Sequence, residues 1–226
     1  MEEVEFYNKK RRKIIEIIRG SAIIYGNENV QVHMINVLFG FFLFFSGCKR
    51  VNLNKNSDSE NHIRKDYRIE YYLNREASVQ TEKAVNKAFL LWEGSSDFRF
   101  TYSGRGKAGL KRDGRNTISF LLTWPDKAPA GKAAWCLNYY DRKGNIVESD
   151  IIFNMALARF TTLETNTPDS YYIEGLLAHE IGHMLGLGHI DSADSIMKPL
   201  SSQSESYFMG ALDDETIGQY KKLYPE

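Results

Sequence analysis

Hydrophobic positions along the chain fall into three patterns. An unbroken apolar run, VLFGFFLFF (Val37 to Phe45), comes first, and a polar stretch containing NLNKNSDSEN follows from Lys49 to about Lys65 without apolar periodicity. From Asp66 onward apolar residues return in strand-like and helical spacings. YRIEYYLN (Tyr67 to Asn74), rich in aromatic and branched residues, predicts a first strand. Ala84, Val85, Ala88, Phe89 and Trp92 recur at helical spacing, with Ser78 placed to cap that helix and Gly94 to stop it. FRFTYS (Phe98 to Ser103) and TISFLLTW (Thr117 to Trp124) predict further strands, separated by a glycine-rich basic loop. AAWCLNYY and NIVESDIIFN flank DRKG (Asp141 to Gly144), which is a hairpin signal. A helix is expected from about Ile173 to Leu185, and a last one over DDETIGQYKKLY (Asp213 to Tyr224), whose leading aspartates suit a helix N-terminus. Strands with a few helices that do not strictly alternate point to an α+β domain without internal repeats.

The apolar run is much shorter than the roughly 20 residues a membrane-spanning helix needs, and it suits the core of a signal peptide. FSGC (Phe45 to Cys48) resembles a bacterial lipobox, although Phe45 stands where leucine is usual and the basic cluster KKRRK (Lys9 to Lys13) lies well upstream. Met34 offers an alternative start. The resemblance implies export to a cell envelope, with a lipid on Cys48 holding the chain at the membrane. An uncleaved anchor or a buried core strand is the competing reading. The expected organisation is therefore a targeting segment over 1–47, a polar tether over 48–65, and one folded domain over 66–226.

With 42% hydrophobic residues in 226, the chain suffices for one well-packed domain, and its 29 basic and 29 acidic residues cancel. Nothing in that balance suggests a nucleic-acid partner. The two cysteines, Cys48 and Cys136, make neither a disulfide framework nor a CxxC metal site. A metal would have to be held by histidine or carboxylate.

HEIGHMLGLGH, residues 179 to 189, supplies both, concentrating three of the chain's five histidines in one otherwise apolar stretch. On a helix, His179 and His183 lie on one face, one turn apart, and can reach a single ion. Gly186 lets the backbone turn sharply, so that His189 arrives as a third ligand from outside the helix. Three neutral imidazoles plus an open position suit a catalytic zinc ion, and Glu180 between the helical ligands can serve as general base. The five fixed positions would coincide by chance in about one such sequence in 10^5. The competing reading is a helix whose histidines bind nothing.

These residues resemble the metzincin metallopeptidases, in which this motif is followed by a methionine turn; Met197 in DSIMKP looks like that turn. Pro199, two positions later, is the matrixin usage. The resemblance covers roughly Asp66 to Tyr224 and implies a mixed, twisted sheet of about five strands with about three helices. It also implies one catalytic Zn2+ and peptide or protein substrates. By the same analogy an edge strand near Ala133 to Leu137 would pair with an extended substrate, with Ala133, Ala134 and Trp135 as candidate contacts, while Pro199 and Leu200 would wall a side-chain pocket. The histidines that hold a second, structural zinc in vertebrate matrixins have no counterpart, a calcium site is left open, and the cysteine-containing propeptide motif is missing. Cys136 reads as a small buried residue rather than a regulatory thiol, and Asp191 and Asp194 as ligand-orienting or loop-solvating groups. The implied activity is zinc-dependent endopeptidase. A catalytically inactive zinc-binding adhesin, a zinc-uptake lipoprotein, and the same chemistry on cell-wall crosslinks are the alternatives.

Overall fold

A computed structural model describes residues 62–107, 109–163, 170–199 and 211–225. The targeting segment 1–47, Cys48 and most of the tether lie outside the described residues. Seven strands and three helices follow in the order β1 (Arg68–Asn74), α1 (Val79–Glu93), β2 (Arg99–Gly106), β3 (Asn116–Leu121), β4 (Ala134–Tyr140), β5 (Ile146–Asn154), β6 (Arg159–Thr161), β7 (Ser170–Tyr172), α2 (Ile173–Met184) and α3 (Asp214–Leu223). Five strands form one mixed sheet in the order β2-β1-β3-β5-β4, parallel except for β4, which runs antiparallel to β5. The α+β expectation of about five sheet strands and three helices holds. The short parallel pair β6–β7 was not anticipated.

Local sequence accounts for α1. Ser78 caps it by accepting the Thr81 N–H at 3.0 Å, and Ala84, Val85, Ala88, Phe89 and Trp92 form its buried face. That face meets Ile69, Tyr71 and Leu73 of β1, where Tyr71 stacks on Phe89 at 3.8 Å between ring centroids. Trp92 also donates its indole N–H to the Ala178 carbonyl at 2.8 Å, tying α1 to α2. On β5, buried Glu148 and Asp150 receive main-chain N–H groups from the loop between β2 and β3. Lys111 donates to Asp150 at 2.8 Å, and Asp113 and Gly114 donate to Glu148 at 2.9 and 2.8 Å. The two carboxylates thereby fasten that loop to the sheet.

Several expected boundaries shift, β2 among them, which runs on to Gly106 rather than ending at Ser103. β3 ends at Leu121 rather than Trp124, where the Leu121 carbonyl takes the Met155 N–H. The tether was expected to run to residue 65, but residues 62–65 belong to the domain. Arg64 is 3% exposed, and the Ile63 carbonyl accepts the Ile146 N–H at 2.9 Å. His62, too, touches the domain, through a 2.9 Å hydrogen bond between its Nδ1 and the Gly144 carbonyl.

Candidate active site

α2 carries the chemistry, and nearly all of it is buried, polar residues included. His179 and His183 face the same way, with ring centroids 4.7 Å apart. Gly186 adopts φ +91, a left-handed conformation that only glycine takes readily, and the chain swings round to bring His189 to the other two. The ligating nitrogens of the three rings fall within 4.8 Å of one another. Burial is graded from His179, inside, to His189, exposed.

Main-chain carbonyls orient the helical pair. His179 Nδ1 lies 2.6 Å from the Ile196 carbonyl and His183 Nδ1 2.8 Å from that of Leu187. A carbonyl only accepts, so each Nδ1 carries the hydrogen and each Nε2 presents a lone pair. The two Nε2 atoms stand 3.1 Å apart. Two lone pairs that close repel unless a cation lies between them, and ligands on one tetrahedral zinc would be separated by roughly 3.3 Å. Burial, reinforced by mutual repulsion, lowers His179 to about 3, and burial lowers His183 to about 4. The rings are thus held neutral, the form a metal requires. The donor set fits zinc. Asp191 and Asp194 are exposed, so the orientation of the helical ligands comes from the backbone and not from carboxylates.

Glu180 is 5% exposed, and its Oε2 has no hydrogen-bond partner among the described residues. Burial pushes its carboxyl up to about 8, against a backbone hydrogen bond from Cys136 and the charge of Lys132. It lines a cleft of about 120 Å³ together with the three histidines, Leu176, Tyr171, and residues 131–135 at the start of β4. Because Asn154 donates to the Ala133 carbonyl at 2.7 Å, the ladder's phase is set: main-chain groups of Ala133 and Trp135 face β5, while those of Ala134 and Cys136 face the open edge. Pro199 is exposed and does not line this cleft, and Leu200 lies outside the described residues.

Met197 is fully buried and packs against α2 at Gly182. A side chain at Gly182, between His179 and His183 on the helix, would overlap the Met197 sulfur and crowd Trp92. The thioether therefore sits in the space that this glycine leaves. The loop following the third histidine is fastened to the same turn, since Ile190 donates to the Met197 carbonyl at 3.0 Å.

The sequence profile of the matrixin peptidases matches residues 59–225. The chain belongs to the matrixin family. Matrixins use a catalytic zinc ion, and the three-histidine cluster is where this one can hold it. The chain is 29% identical over 135 residues to human neutrophil collagenase. It is 30% identical over 136 residues to the interstitial collagenase of Equus caballus, and 31% over 134 to that of Sus scrofa. Each alignment covers 59% of this chain but only 26% of the relative.

Two features of this matrixin's site, Gly182 and Lys132, escaped sequence reasoning. Gly182 was legible only as an unconstrained position of the motif, since its contact with Met197 is tertiary. Cys136, by contrast, lies on the expected edge strand, and its thiol is pushed well above the ordinary value, first by burial and then by the Glu180 charge, which fits the inert side chain expected of it. Lys132 is an exposed cation on the cleft wall whose charge acts on all three histidines and on Glu180. No periodicity or motif marks it.

Proposed function

We propose that the chain is a zinc-dependent endopeptidase. The observation that carries this reading is the buried, unpartnered Glu180 oxygen beside three converging imidazoles, in a cleft whose other wall is a sheet edge. His179, His183 and His189 would hold the ion. When bound, zinc supplies Lewis acidity, acidifying a water and polarising the scissile carbonyl.

Glu180 does the proton work. Its carboxylate takes a proton from the attacking water as the new C–O bond forms, and delivers it to the nitrogen as the C–N bond breaks. The carboxylate is regenerated, and the amine leaves neutral. Burial raises its proton affinity above that of an ordinary carboxylate, which suits it to accept the proton. The outward main-chain groups of Ala134 and the outward carbonyl of Cys136, whose N–H is taken by Glu180, support pairing with an extended peptide, a mode that grips backbone and leaves the chain ends free. That favours cleavage within a chain. A zinc-binding surface protein without catalysis would gain nothing from burying an unpartnered carboxylate, which costs stability.

The test uses the full chain with a quenched fluorescent peptide library, casein and peptidoglycan side by side. Internal cleavage should occur, stop on chelation and return with added zinc. Digestion of peptidoglycan alone would assign the same chemistry to cell-wall peptides. Zinc binding without cleavage across the whole panel would refute the peptidase reading.

A further inference from the structure

A buried guanidinium stands at the C-terminal end of α2 with neutral acceptors around it. Arg64 is 3% exposed, and its Nη2 donates to Ser149 Oγ at 2.6 Å and to Asn116 Oδ1 at 3.1 Å, with a longer contact from Nε to the Met184 carbonyl at 3.4 Å. Burying a charge is expensive. Among the described residues no carboxylate forms an ion pair with Arg64, and the charges of Asp66 and Glu148 act on it only from farther away, so part of the negative potential must come in another form. The end of α2 supplies it, through its orphan carbonyls and the negative pole of its dipole.

Three consecutive carbonyls there are each met by a side chain from a different part of the chain. His183 receives Asn138 Nδ2 at 2.7 Å, Met184 receives Arg64, and Leu185 receives the Tyr224 hydroxyl at 2.7 Å. Arg64 links these donors. Its N–H donates to the Tyr224 hydroxyl at 2.8 Å, and Ser149, which accepts from its guanidinium, donates to Asn138 Oδ1 at 2.6 Å. Just upstream, the His62 carbonyl lies so close to Gly186 that no β-carbon would fit between them. Gly186 is the turn that sends the chain to His189.

We propose that Arg64 is a positioning residue for the metal centre: the segment 62–64 clamps the end of α2 and the Gly186 turn, and so fixes where His183 and His189 present their rings. The inference rests on those histidines being metal ligands. It makes metal retention depend on residues that precede the first strand and touch neither the ion nor the substrate. A break in the chain between Arg64 and β1 would loosen the site.

The experiment uses the full chain loaded with zinc, and in parallel with cobalt(II), whose visible spectrum reports ligand geometry. Arg64→Met and Arg64→Gly should retain the far-ultraviolet circular dichroism of the fold, yet release zinc to a chelator about 10- to 100-fold faster, the range for partners that orient ligands. The cobalt spectrum should change with them. In Arg64→Gly, millimolar guanidinium should slow release again, whereas sodium chloride at equal ionic strength should not. If the Arg64 variants fail to fold, Ser149→Ala cuts the link from Arg64 to Asn138 and should speed release in the same assay. Folded variants with the wild-type release rate and spectrum would overturn the proposal. A wild-type chain that takes up neither metal would overturn the metal site itself, and this inference with it.

Discussion

Glu180 and the two helical histidines pull stability in opposite directions with pH. Without metal, the Glu180 carboxyl titrates near 8 when folded, against 4.5 as its ordinary value. The folded state then binds more protons than the unfolded one between those limits, and stability falls as pH rises through them. His179 and His183 titrate near 3 and 4 instead of 6.5, so below 6.5 the unfolded state binds more protons and stability falls as pH drops. From 4.5 to 6.5 two histidines outweigh one carboxylate; above 6.5 the carboxylate acts alone. Melting temperatures of the chelated chain should therefore peak near pH 6.5, and Glu180→Gln should abolish the alkaline decline while sparing the acid one. A wild-type profile flat from 6.5 to 8 would contradict this, since each unit of pKa difference is worth about 1.4 kcal/mol.

Among the elements, α3 holds the methionine turn in place. Asp213 caps this helix by accepting the Thr216 N–H at 2.8 Å, and its other oxygen accepts the Ile196 N–H, also at 2.8 Å. The Ile196 carbonyl in turn receives the His179 ring, so one carboxylate joins the start of α3 to a proposed metal ligand. Burial would raise the Asp213 carboxyl, but these N–H donors bring it below the ordinary value. Asp213→Ala removes a cap and leaves the Ile196 N–H unpaired, a combined loss of about 2 kcal/mol. The denaturation midpoint of the zinc-loaded chain should fall accordingly, and zinc should be released faster. A stability change below about 0.5 kcal/mol, the level of an ordinary surface substitution, would show that the turn does not depend on this helix.

For the whole molecule, what could be read from sequence was what local chemistry decides. Ser78 and Gly94 bound α1 because capping acts within one turn, and the four-residue spacing of His179 and His183 places both rings on one face whatever surrounds them. Pairings between distant segments were not legible. β6 and β7 are three residues each, too short for a periodicity; Phe160 of β6 packs edge-on against Phe153 of β5 and also meets the Tyr171 ring of β7. Arg64 sits in a polar stretch that reads as solvated, and its partners lie 52, 85, 120 and 160 residues away. Glu148 and Asp150 lie on an expected strand, and nothing in its pattern announces the loop that they hold. The central claim, that three histidines hold the metal while Glu180 moves the proton, joins the legible part to the tertiary part. It is tested most directly by measuring bound zinc and peptide hydrolysis together in Glu180→Ala and His183→Ala. Glu180→Ala should keep about one zinc per chain while losing several orders of magnitude in rate, at the upper end of what acid–base groups contribute. His183→Ala should lose both. A Glu180→Ala chain that cleaves as fast as wild type, or a His183→Ala chain that retains zinc with undiminished affinity, would contradict the account.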